Sequence, residues 1–100
     1  MLILDQTKQL IVNLDNVLYL YIEKKSLSIK AALMIDGGSA EFSSAQKISL
    51  GTYNSLDDCI KVLRNIFNEC YDTYDAYPYE MPLGGEVKEL QTSQKIHTLL

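Results

Sequence analysis

Four of the seven tyrosines, Tyr71, Tyr74, Tyr77 and Tyr79, fall within nine consecutive positions. A tyrosine offers a broad apolar ring and one polar handle with little rotamer entropy to lose, so a cluster fits stacking on a flat ligand or burial in an interface. Lys24, Lys25 and Lys30 are the cations that could meet the phosphates of such a ligand. Tyr74, Tyr77 and Tyr79 with Lys24, Lys25 and Lys30 thus make a candidate ligand or partner surface. Three readings of the tyrosines stay open: a belt covering a sheet edge within one subunit, a contact between copies, and a site for a flat ligand such as a nucleobase. Tyr71 and Tyr74 also extend a helical apolar stripe, which favours packing on a sheet. Tyr19 and Tyr21 share a strand face with Val17 by alternation.

Covalent chemistry has little to work with. Nucleophilic catalysis needs a Ser or Cys beside a base that a third group orients. The only histidine, His97, lies in a weakly patterned tail, and Cys59 and Cys70 fall on the expected buried face of a helix. Eleven residues apart on that helix, the two cysteines stand about 16 Å from each other, too far to bridge. They also lack companions for a metal site. The pair Asp57–Asp58 reads as helix capping, and Asp72 with Asp75 as a solvated helix end, rather than as catalytic dyads. Gly37–Gly38 and Gly84–Gly85 have neither the spacing nor the lysine of a phosphate loop. The expectation is a protein without enzymatic activity, cofactor or metal.

The elements that would position these residues read as strands followed by one helix. Met1–Leu4 is a short apolar run, Asp5–Lys8 a turn, and Gln9–Leu14 a second run. Val17–Lys25 carries apolar residues on both faces and reads as a strand covered on each side. Lys24, Lys25 and Ser26 form a hairpin tip, with lysine where an exposed end needs solubility. Leu27–Asp36 alternates, with Leu27, Ile29, Ala31, Leu33 and Ile35 on one face. Asp36-Gly37-Gly38 is a strong turn, and Ser39–Tyr53 holds one long or two short strands. Ser55 is a good N-cap for a helix ending near Tyr74–Ala76, because Pro78 disfavours helical geometry at Tyr77. The apolar stripe runs through Leu56, Cys59, Ile60, Leu63, Ile66, Phe67, Cys70, Tyr71 and Tyr74, with Val62 off it and Asn65 on the polar side. The expected fold is α+β: an antiparallel sheet of four to six strands, then one long amphipathic helix packed on it, then a tail. Residues 1–82 would be the single domain. Residues 83–100 would be a tail docked on a neighbouring subunit through Val87, Leu90, Ile96, Leu99 and Leu100.

A chain of 100 residues with 47% hydrophobic and 22% charged residues has the composition of one globular domain rather than a disordered segment. A net charge of −4 with only short basic spots argues against direct nucleic-acid binding and suits contact with basic surfaces. No window approaches the roughly 20 apolar residues of a membrane helix. The start lacks the basic region of a signal peptide, so a cytoplasmic protein with no membrane partner is expected.

The pieces Asn13-Leu14-Asp15-Asn16-Val17, Leu50-Gly51-Thr52-Tyr53 and the helix around Val62, Leu63 and Ile66 resemble small uncharacterised proteins of phages and prophages of Gram-positive bacteria. The likeness covers residues 1–82 and includes no catalytic motif. It implies a mobile-element protein acting in a bacterial host, with anti-defence activity as one form. On that footing the chain would be a homo-oligomeric binding protein that sequesters a small nucleotide-like immune signal. The alternative is a protein–protein inhibitor or adaptor acting on a host protein through its acidic face.

Overall fold

In the computed structural model, which describes residues 1–33, 46–72 and 78–90, the order of elements is six strands, one α-helix and two 3-10 helices. The strands are β1 (Leu2–Leu4), β2 (Ile11–Asn13), β3 (Val17–Glu23), β4 (Ser28–Leu33), β5 (Gln46–Thr52) and β6 (Tyr79–Glu80). Helix α1 spans Leu56–Asp72, and 3-10 helices lie at Leu14–Asn16 and Gly84–Glu89. The α+β class holds, but the strands make two three-stranded sheets, ordered β2-β1-β6 and β3-β4-β5, rather than one larger sheet. The second sheet is antiparallel throughout. In the first, β1 pairs antiparallel with β2 and parallel with β6. The expected Asp36-Gly37-Gly38 turn, the helix end near Tyr74–Ala76, Cys70 as a packed side chain and the last ten residues of the tail lie outside what is described.

The turn Asp5–Leu10 is built around one carboxylate. Asp5 is 7% exposed; its Oδ1 accepts from the backbone N–H groups of Gln9 and Leu10, both at 2.9 Å, and its Oδ2 accepts from the Thr7 hydroxyl at 2.6 Å. Lys8 takes the left-handed conformation, with φ of 62°. The Thr7 hydroxyl first holds the Asp5 carboxyl below its ordinary value near 3.8; burial comes second and opposes it, and the backbone N–H groups of Leu10 and Gln9 add to the lowering. A folded-state value below the unfolded one gives a stabilisation that is complete above the unfolded value and lost as pH falls through the folded one. The urea midpoint is therefore expected to fall on acidification below about pH 4. Asp5→Asn should flatten that slope; an unchanged acid limb in the variant would show that Asp5 does not cause it.

The two sheets and the helix close on one core. Ile3 and Val12 of the first sheet meet Ile29, Ala31 and Leu50 of the second, Cys59, Val62 and Ile66 of α1, and Tyr79 and Met81 around β6. Val87, in the segment assigned from the sequence to the tail, is 2% exposed in the same core, and Leu90 packs against it. The 3-10 helix Gly84–Glu89 contacts α1, so residues 84–90 are part of the domain.

Gln6 joins the sheets. Its backbone N–H donates to the Leu50 carbonyl at 2.8 Å, its side-chain oxygen accepts from Thr52 N–H at 2.9 Å, and its Nε2 donates to the carbonyls of Thr52 and Pro82 at 3.0 and 3.2 Å. Tyr53 completes the knot: its buried hydroxyl donates to the same Pro82 carbonyl at 2.8 Å. Gly51 is required here, since an added Cβ would stand 2.9 Å from the Tyr53 hydroxyl oxygen. The segments that carried the family resemblance thus have structural work. Leu50–Tyr53 is this joint, and Asn13–Val17 is a corner in which the Asn13 side chain accepts from Asp15 N–H at 3.0 Å.

Ser55 caps α1 as expected, its hydroxyl accepting from Asp58 N–H at 3.1 Å. The buried face of the helix differs from the expected stripe. Val62 is fully buried and Asn65 is 6% exposed, whereas Ile60 is 42% and Phe67 68% exposed. At 100° per residue the buried face is rotated by roughly a quarter of a turn from the centre of the apolar stripe. The cause is Tyr79, whose buried hydroxyl donates to Asn65 Oδ1 at 2.6 Å and so gives a polar side chain a place inside.

Candidate ligand face on the outer sheet

The hairpin β3–β4 and strand β5 turn one face to the core and the other outward. Register places Tyr19 beside Ala32 and Ala32 beside Lys47, then Tyr21 beside Lys30 and Lys30 beside Ser49. The core-facing set is Leu20, Ile22, Ile29, Ala31 and Ile48, so the tyrosines and lysines share the outer face. A register shift between Val17 and Tyr19 inserts Leu18, which is 50% exposed. That bulge corrects the simple alternation: Val17 packs against the core, while Tyr19, 45% exposed, points outward. It also leaves β3 uncovered on one side among the described residues, where cover on both sides was expected.

The Tyr19 and Tyr21 rings lie with centroids 5.7 Å apart and planes inclined at 56°. Lys47 Nζ stands 5.9 Å from the Tyr21 ring centroid, within cation–π range. Lys30 Nζ pairs with Glu23 at 3.1 Å. The Ser26 hydroxyl first, and Lys30 second, hold the Glu23 carboxyl below its ordinary value. Lys24 and Lys25 are exposed in the turn between β3 and β4. Among the described residues, Glu23 is the one carboxylate beside Lys24, Lys25, Lys30 and Lys47 on and around this sheet, in a chain of net charge −4. Ala32, between Tyr19 and Lys47 in register, is fully buried.

Of the residues singled out from the sequence, Lys30 lies on this face and Lys24 and Lys25 at its end. Tyr79 does not: it is 8% exposed inside the core. Tyr74 and Tyr77 lie outside the described residues. Lys47 escaped sequence reasoning, although Lys47 and Ser49 alternate with Ile48 and Leu50 as on a half-buried strand. Cys59 is buried, its thiol donating to the Leu27 carbonyl at 3.2 Å; burial first, then the Asp58 charge, pushes its pKa up, which makes it a poor nucleophile. The Leu27 carbonyl also accepts from Tyr53 N–H at 2.8 Å. Leu27 is a turn residue with φ of 53°, not the first strand residue that alternation suggested.

Among the described residues, no three His, Cys, Asp or Glu side chains gather as metal ligands would, and no helix is long and apolar enough to cross a membrane. No family model matches the chain, and no curated protein or solved structure matches it.

Proposed function

We propose that the protein is a non-enzymatic binding protein whose outer β3–β4–β5 face holds a small, flat, anionic ligand of the nucleotide class. The observation that carries this reading is the pair of exposed Tyr19 and half-buried Tyr21, with Lys47 beside the Tyr21 ring and Lys30 next in register. A base stacks on tyrosine whatever its identity, and each stacked base contributes about 1–3 kcal/mol. Lys47 and Lys30 supply point charges for phosphate, and Lys24 and Lys25 extend the positive field toward the hairpin tip. The resemblance to small phage and prophage proteins gives this activity a setting: a sponge that holds a nucleotide-like immune signal in the cytoplasm of the host bacterium.

Thermal unfolding against a panel of mono-, di- and cyclic oligonucleotides tests the reading. A ligand at a hundredfold excess over Kd stabilises the fold by about 2.7 kcal/mol, which raises Tm by several degrees in a domain of this size. Tyr21→Ala is expected to weaken binding about tenfold or more, since it removes one stacking ring and the partner of Lys47. A panel in which no nucleotide moves Tm, or a shift that Tyr21→Ala leaves intact, would refute the assignment.

A further inference from the structure

We propose that the open side of α1 is a two-fold interface on which a second copy of this chain packs with its helix antiparallel. Leu56, Ile60, Leu63 and Phe67 follow one another at steps of four, three and four, the spacing of a coiled-coil seam. Leu56, Ile60 and Phe67 are 38%, 42% and 68% exposed, and Leu63 is half-buried at the edge of the core. The stripe is self-complementary. A two-fold axis crossing the helix between Ile60 and Leu63 sets Leu56 of one copy against Phe67 of the other, and Ile60 against Leu63, as an isologous contact requires.

The charges beside the stripe obey the same axis. Asp57 and Arg64 stand on its solvent-facing flank, both exposed, and neither makes an ion pair among the described residues. They are seven residues apart, about 10.5 Å along the helix, so they do not reach each other within one chain. In the antiparallel arrangement Asp57 of each copy faces Arg64 of the other, and the pair forms twice. A parallel arrangement would instead turn Asp57 and Arg64 toward the partner's other flank, the side of Cys59 and Ile66, where neither finds an opposite charge. The other flank of the seam, Cys59 and Ile66, belongs to the chain's own core. One helix stripe is smaller than a standard interface of about 800 Å² per partner, so the dimer is a reversible one.

Sedimentation equilibrium of the full chain, from low micromolar to near-millimolar concentration, reads this directly. The expected result is a mass that rises from one chain to two. Phe67→Ala is expected to abolish the rise. Arg64→Asp turns both cross-pairs repulsive and should weaken association about tenfold, and adding Asp57→Arg in the same chain should restore it. A single-chain mass at every concentration would overturn the proposal; so would a dimer that ignores Phe67→Ala, or a double charge reversal that fails to rescue. A monomer that loses several degrees of Tm on Phe67→Ala would also overturn it, in favour of residues 91–100 of the same chain as the cover. None of these outcomes bears on the nucleotide face.

Discussion

Val62→Asp is expected to remove the cooperative thermal transition, whereas Phe67→Ala, measured at low micromolar concentration, should leave the stability within about 1 kcal/mol. Val62 is fully buried in the core with Ile66 and Cys59, so an aspartate there loses apolar burial and places a charge without a partner in an apolar setting. The combined cost is about 4 kcal/mol or more, comparable with the whole stability of a small domain. Phe67, although larger and more apolar, is 68% exposed and gives up little on truncation. Urea unfolding of both variants decides which side of the helix faces inward. A Phe67→Ala loss as large as that of Val62→Asp would return the buried face to the centre of the apolar stripe.

Gly51→Ala is expected to cost about 1–3 kcal/mol through overpacking. The added methyl would meet the Tyr53 hydroxyl oxygen at 2.9 Å, a ring carbon of Tyr53 at 3.2 Å and the Gln6 Cβ at 3.3 Å. Tyr53 cannot retreat without stretching its bond to the Pro82 carbonyl, and Gln6 cannot without loosening its bonds to Thr52 and Pro82. The effect is coupled: in a Tyr53→Phe background, where the nearest clashing atom is gone, the cost of Gly51→Ala should shrink. A double-mutant cycle by urea unfolding measures the coupling. Strict additivity would mean that Gly51 serves its own backbone rather than the Tyr53 ring.

What was legible in the chain was local. Ser55 caps the helix because a hydroxyl next to a helix start has an N–H within reach. Lys24, Lys25 and Ser26 turn the hairpin because the strands on either side alternate up to them. What was not legible was set by distant partners. Strand β6 has two residues, is preceded by Pro78 and followed by Met81 and Pro82, and exists because Ile3 and Leu4 lie alongside it. The rotation of α1 depends on one hydroxyl reaching Asn65 from β6, and periodicity scores that asparagine as surface. The bulge at Leu18 moves the tyrosines relative to Val17 without any glycine to announce it. The candidate site followed the same division: Lys30 was visible from the sequence, but the side chains lying together with it on the outer face are Tyr19, Tyr21 and Lys47, whereas Tyr79 is in the core. Neighbours across β4 chose them, not neighbours in sequence.

The parallel pairing of β1 with β6 has a consequence for biosynthesis. Gln6 Nε2 reaches the Pro82 carbonyl across a separation of 76 residues, and Met81 N–H reaches the Leu4 carbonyl beside it. A nascent chain therefore carries β1 while the long stretch that separates it from β6 is still being made. Contacts of such high order slow folding, because the loop must close before they give any return. The meander β3–β4–β5 can assemble early from neighbouring segments. Strand β1, half-paired with β2, stays an unfinished edge until β6 emerges and seals it.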